Sequence, residues 1–223
     1  MDYKIEAVYF DLGGVYYTEG FREGLFAIAR KHRVDEEQFY QTATEVVFTT
    51  GYVRGEVPEA IFWDQLAEAT GIDESLFAER GTILEAFKPL PGMPDLTTRI
   101  RGQIPVGLLT DQCNWLYELD ERDDLLTAFD TVVNSYEEGY TKQDMEIFRL
   151  ACERLTLLPE ELAFFDDNQG NIDRAKEFGL RAFLFEDAAR TEMILAAEGV
   201  ELPPIGRGSR LQVPGSTDQD LDS

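Results

Sequence analysis

The run Ala7-Val8-Tyr9-Phe10-Asp11-Leu12-Gly13-Gly14-Val15 carries the first clue to the fold: four apolar residues stop at a carboxylate, and two glycines follow. A short, unbroken apolar run bounded by turn residues suits a strand buried on both faces. Four further runs have this form, at Val106 to Leu109, Thr131 to Val133, Leu162 to Phe165 and Ala182 to Phe185, and helical patterns separate them. Strands buried on both sides and joined through helices imply parallel crossovers. The fold expected is therefore an α/β, doubly wound parallel sheet.

The first crossover is too long for one helix. Phe21, Leu25, Ile28 and Ala29 form one helical stripe, and Phe39, Ala43, Val46 and Val47 form a second, opened by a capping pair at Asp35 and Gln38. Pro58 suits a first helical position, and Leu76, Ile83, Leu84 and Phe87 mark a fourth helix. Pro89, Pro91 and Gly92 then break the pattern and read as a return hinge. These signals divide the chain into a core of residues 1–16 and 91–202, a helical cap of residues 17–90, and a flexible Pro- and Gly-rich tail of residues 203–223.

Composition narrows the function. The 223 residues are 43% apolar and 29% charged, as expected of a globular protein, and no apolar run reaches the roughly 18 residues of a membrane span. No basic, apolar leader precedes the first strand, so a cytoplasmic location is expected. The formal charge of −24, with no offsetting Lys/Arg stripe, argues against nucleic acid and anionic membranes as partners. Such acidity would also suit a high-salt cytoplasm. Cys113 and Cys152 lack metal or disulfide spacing and read as reduced thiols. A single histidine, His32, argues against His-based zinc sites and Ser-His-Asp triads.

In an open parallel sheet, ligands bind beyond the carboxyl ends of the strands. The residues there form a set: Asp11 after the first strand, Thr110-Asp111 after the second, Gly139-Tyr140-Thr141-Lys142 after the third, and Asp166-Asp167-Asn168 after the fourth. Each alone has a bland reading. Asp166-Asp167-Asn168 could be a turn and helix cap, Lys142 a solvated charge, and Thr110 a strand-end hydroxyl.

Together and in this order, these residues resemble the motifs of the haloacid dehalogenase superfamily, in its phosphatase-like subfamily IA branch with a helical C1-type cap and a Rossmann-like core. The resemblance extends to about Leu202. It implies that Asp11 is a covalent nucleophile, that Thr110, the Asp111 backbone N–H and Lys142 bind a phosphoryl group, and that Mg²⁺ is held by Asp11, Asp167 and the Gly13 carbonyl. Asp166 and Asn171 would hold metal-bound water or orient the ligands. The partner implied is a small phosphorylated metabolite, such as a sugar phosphate; nothing indicates the oligomeric state.

Position 13 departs from that resemblance, because most phosphatases of the family carry there an Asp that serves as general acid and base. Its loss predicts slow turnover and a preference for good leaving groups such as anomeric sugar phosphates or aryl phosphates. Tyr16, Tyr17, Glu19, Glu23 and Asp111 are candidate substitutes, and Arg54 a candidate cap contact to substrate. Two alternatives stay open: a metal-independent 2-haloacid dehalogenase, and a protein that binds phosphorylated metabolites with little or no catalysis.

Overall fold

The protein is described from a computed structural model covering residues 3–72 and 76–204. Of the proposed tail only Pro203 and Pro204 fall within these; residues 205–223 lie outside the described residues.

Five parallel strands form one sheet: β1 (Ala7–Phe10), β2 (Val106–Thr110), β3 (Thr131–Asn134), β4 (Leu162–Asp166) and β5 (Arg181–Leu184), in the order β3-β2-β1-β4-β5. Every residue of β1, β2 and β4 is buried, which explains why these strands read as unbroken apolar runs instead of alternating ones. Alternation persists in where the side chains go. Val8 and Phe10 join one hydrophobic cluster while Ala7 and Tyr9 join another, on the opposite face. The edge strands β3 and β5 are only partly buried.

Four helices follow β1: α1 (Gly20–His32), α2 (Glu36–Thr49), α3 (Glu59–Thr70) and α4 (Arg80–Ala86). The stripes behave as expected. Leu25, Ile28 and Ala29 are buried on α1, and Phe39, Ala43, Val46 and Val47 on α2. Asp35 caps α2, its carboxylate accepting from the Gln38 N–H at 2.8 Å. Pro58 occupies the N-cap of α3, one position earlier than its sequence suggests, with extended backbone. Leu76 belongs to a 3₁₀ turn, Leu76–Glu79, and the α-helical turns begin only at Arg80. The Glu79 side chain makes no cap hydrogen bond to α4; it accepts instead from the Lys31 ammonium at 2.5 Å.

The outgoing and returning segments run side by side: the Thr18 N–H donates to the Lys88 carbonyl at 2.8 Å and the Leu90 N–H to the Tyr16 carbonyl at 2.9 Å. A second link joins α3 to the helix after β2. Trp63 Nε1, Trp115 Nε1 and Arg80 Nε all donate to Glu59 Oε1, at 2.9, 2.8 and 2.7 Å. Burial pulls the Glu59 carboxyl up, but these donors outweigh it and hold the group below its ordinary value.

The remaining helices are α5 (Met93–Arg101), α6 (Trp115–Asp123), the single turn α7 (Ser135–Glu138), α8 (Met145–Leu155), α9 (Gln169–Phe178) and α10 (Ala188–Ala197). Buried residues of α8 and α9, among them Phe148, Ala151, Cys152, Ile172 and Ala175, cover one sheet face, and those of α5, α6 and α10 join the cluster on the other. Both cysteines are free and buried. Among the described residues no helix is long and apolar enough to cross a membrane. Because β2 and β4 flank β1 on opposite sides, the strand order reverses there, and a crevice opens at the carboxyl ends of these three strands.

Candidate active site

Asp11 is the residue after β1, and its N–H still donates to the Phe165 carbonyl at 2.9 Å, so the sheet fixes its position. The chain then folds back tightly, with the N–H groups of Tyr16 and Tyr17 donating to the Leu12 carbonyl at 3.0 and 2.7 Å. Gly14 makes the turn possible at φ +74°, and a Cβ there would stand 2.1 Å from Asp167 Oδ2. Only glycine lets this loop pass beneath that carboxylate.

Lys142 is 2% exposed, and its ammonium lies 2.8 Å from Asp11 Oδ2 and 2.7 Å from Asp166 Oδ2. Asp111 holds the lysine from behind, both of its carboxylate oxygens accepting from the Lys142 N–H at 2.9 and 3.2 Å. Asn171 donates to both oxygens of Asp166 at 3.1 and 3.0 Å. Arg174 closes a ring, donating to the Lys142 carbonyl and to Asn171 Oδ1, each at 2.6 Å. The loop after β3 and the start of α9 are thereby locked together.

The charges do not balance. Burial pushes the Asp11 carboxyl up to about 7, against the pull of Lys142 and reinforced by Asp166 and Asp167. Burial, followed by the adjoining Glu19 carboxylate, pushes Asp167 up to about 8. For Lys142, burial alone would lower the ammonium, yet Asp11, Asp166 and Asp111 outweigh it and raise it. A single ammonium shared among several carboxylates is overcommitted, and negative charge is left in excess.

A divalent cation fits this excess. One carboxylate oxygen from each of Asp11, Asp166 and Asp167 lies within 4.8 Å of the others, an all-oxygen set of the kind hard cations prefer. Asp166 has its oxygens occupied by Lys142, Asn171 and the Asn168 N–H at 2.8 Å, which suits an orienting group. Asp11 and Asp167 are the carboxylates best placed to give oxygen to a metal.

The sequence-predicted residues therefore come together. Asp11, Gly13, Thr110, Asp111, Lys142 and Asp167 line one pocket of about 250 Å³, and Asp166 is fully buried in the carboxylate cluster. Asn168 is a helix cap, accepting from the Gly170 N–H at 2.8 Å, and it also lines the pocket. Of the candidate substitutes for an acid at position 13, Glu19 reaches the pocket, where it adjoins Asp167. Asp111 also lines it, with its carboxylate on the Lys142 backbone. Tyr17 donates its hydroxyl to Asp123 at 2.6 Å, Tyr16 packs on Phe129, and Glu23 is exposed on α1. Arg54 turns to Thr141 and Asp144, both at 3.4 Å, instead of lining the pocket. Sequence reading missed Arg174; its spacing of three from Asn171 on one helix was the available signal.

Removing the buried cation should be costly. Lys142→Met should destabilise the fold by about 3–5 kcal/mol, because Asp11 and Asp166 lose the charge they face. Urea unfolding measures this, and the loss should shrink at acidic pH as protons replace the ammonium.

A family model described as haloacid dehalogenase-like hydrolase matches residues 5–179. The chain is 29% identical over 187 residues to a phosphorylated carbohydrates phosphatase of Thermotoga maritima, covering 79% of this chain and 82% of that protein. It also matches longer curated relatives, of which it spans only 13% and 15%. Among solved structures, a HAD family enzyme of Bacteroides thetaiotaomicron in complex with magnesium and inorganic phosphate has a TM-score of 0.66 at 22% identity, covering 84% of this chain and 98% of that one. An L-2-haloacid dehalogenase from Xanthobacter autotrophicus has a TM-score of 0.62 at 20% identity, covering 85% and 82%. At these identities the two structures establish the fold alone.

Proposed function

We propose that this chain, which belongs to the haloacid dehalogenase-like hydrolase family, is a Mg²⁺-dependent phosphatase of small phosphomonoesters with Asp11 as its nucleophile. The observation carrying this reading is the buried Lys142 ammonium set between Asp11 and Asp166, with Asp167 close enough to complete a cation site. The magnesium bound in a HAD relative and the activity of the Thermotoga protein are in keeping with it. Residues 17–90 then act as a cap over a core of residues 1–16 and 91–202.

In this mechanism an Asp11 carboxylate oxygen attacks phosphorus in line. The ester P–O bond breaks with its electron pair passing to the departing oxygen, leaving a phosphoryl group on Asp11. Water then attacks that phosphorus, restoring the carboxylate and releasing inorganic phosphate. Lys142 supports the ionised nucleophile and the charge gathering on the phosphoryl oxygens, and the Thr110 hydroxyl and Asp111 N–H add donors. Asp11, Asp167 and the Gly13 carbonyl would hold Mg²⁺, which when bound offsets the repulsion between carboxylate and phosphate. With glycine at position 13, no side chain there protonates the departing oxygen, and weakly basic leaving groups are favoured.

Phosphate release from aryl phosphates, with and without Mg²⁺, tests the assignment. A dehalogenase would release halide from 2-haloacids in the presence of chelator; the excess of carboxylates in the pocket, which would repel a carboxylate substrate, speaks against that activity. Halide release without phosphate release would overturn the reading.

Metal binding should itself depend on pH. Asp11, pushed up to about 7, and Asp167, pushed up to about 8, are partly protonated in the metal-free site at neutral pH, and Mg²⁺ must displace those protons. Affinity should therefore rise with pH, by up to about tenfold per unit for each proton displaced, and level off above the higher value. Calorimetric titration between pH 6 and pH 9 checks this, and a pH-independent affinity would contradict it.

A further inference from the structure

Besides its carboxylates, the pocket is lined by aromatic rings. Phe21, Tyr40, Phe48, Phe87 and Trp115 line it, and three of them form one continuous wall: the Phe21 ring centroid lies 6.2 Å from those of both Tyr40 and Trp115. Several polar groups of the lining already have partners, while the Thr44 hydroxyl is buried without one. The Arg22 guanidinium lies 5.1 Å from the Phe26 ring centroid and 5.5 Å from that of Tyr40, and it pairs with Glu37 at 3.3 Å. Gln112 Oε1 accepts from the Cys113 N–H at 3.0 Å. A sugar entering here would lose water from several hydroxyls and find the Thr44 hydroxyl for one of them, whereas a flat apolar ring meets the aromatic side chains directly.

Size and chemistry agree with the wall. At about 250 Å³ the cavity lies below the usual ligand-pocket range of about 300–1,000 Å³, which favours a compact substrate such as a phosphoryl group with one ring. Gly13 provides no acid, which favours a departing oxygen that carries its new electron pair as a stable anion. A phenolate does so by spreading the charge into its ring.

We infer that this pocket selects phosphomonoesters of compact aromatic alcohols, the ring seated against Phe21, Tyr40 and Trp115 while the phosphoryl group faces Asp11 and Lys142. The inference rests on the phosphatase reading above and concerns the group that leaves. In the reaction the P–O bond to the aromatic alcohol breaks, the phosphoryl group passes to Asp11, and the aryl oxygen takes the electron pair.

Aromaticity and leaving-group quality can be separated with Mg²⁺-loaded protein and five probes: phenyl phosphate, benzyl phosphate, acetyl phosphate, ethyl phosphate and glucose 1-phosphate. The wall acts on binding, so KM for benzyl phosphate should be at least about tenfold below that for ethyl phosphate, whose leaving alcohol is of similar basicity, and should also lie below that for glucose 1-phosphate. Leaving-group quality acts on kcat, so phenyl should exceed benzyl, and acetyl should exceed ethyl. Phe21→Ala should shrink the KM ratio between benzyl and ethyl phosphate. Equal KM values, or the lowest KM for glucose 1-phosphate, would overturn this inference and leave the phosphatase reading standing. Release of phosphate from none of the five would overturn both.

Discussion

Asp11→Asn should abolish phosphate release, lowering kcat by roughly 10⁴- to 10⁶-fold, the scale seen when one member of a covalent catalytic unit is removed. The amide keeps the shape of the side chain but is no nucleophile toward phosphorus. The fold should survive. A carboxyl pushed up to about 7 by burial binds its proton more tightly folded than unfolded, so its ionisation opposes folding as pH rises from the unfolded value, about 4, through the folded one. Above that pH the metal-free variant should melt at the same temperature as the parent or higher, because Lys142 still pairs with Asp166 at 2.7 Å. Loss of activity together with a collapse in melting temperature would point to a structural role, and retained activity would remove Asp11 from the chemistry.

Gly13→Asp should do the opposite and raise turnover of poor substrates. A Cβ at Gly13 meets nothing within 4 Å, and the backbone there is outside the left-handed region, so a side chain can be added without strain. Position 13 lines the pocket beside the nucleophile, where a carboxyl group could protonate a departing alkoxide and later take a proton from water. Acid-base assistance of this kind is worth roughly 10²- to 10⁴-fold, so kcat for ethyl phosphate should increase by about that factor. Aryl phosphates, whose leaving oxygens need no proton, should gain far less. The measurement is the ratio of alkyl to aryl turnover in variant and parent. An unchanged ratio would mean that another group, with Glu19 the nearest candidate, already performs the task.

Much of this arrangement is legible in the sequence because a buried parallel sheet imposes a simple rule. Strands covered on both faces must be apolar throughout, so the first polar residue after Phe10, Leu109 or Phe165 marks where a strand meets the crevice. The cap helices are equally legible, since Leu25, Ile28 and Ala29 recur at helical spacing. What the sequence hides is the direction in which a side chain turns once it arrives. Tyr17 and Glu19 stand two residues apart, yet one donates to Asp123 and the other adjoins Asp167. Arg54 reads as a surface charge or a contact to substrate but is drawn to Thr141 and Asp144, while Arg174, on an ordinary helix, closes the ring around Lys142. Each outcome depends on a partner far away in the chain, and only the spacing of Arg174 from Asn171 gives a local sign of one. The start of α4 is another instance: the carboxylate of Glu79 goes to Lys31, on α1.

Glu59 gathers both indole N–H groups of a chain that contains two tryptophans, with the two ring centroids 6.0 Å apart and Trp115 on the pocket wall. The tryptophan fluorescence therefore originates at one spot bordering the pocket, distinct from that of the nine tyrosines. Emission should dim or change colour when a ligand settles there, so occupancy can be followed in real time without attaching a dye, and single-turnover experiments can separate arrival of the ester from its cleavage.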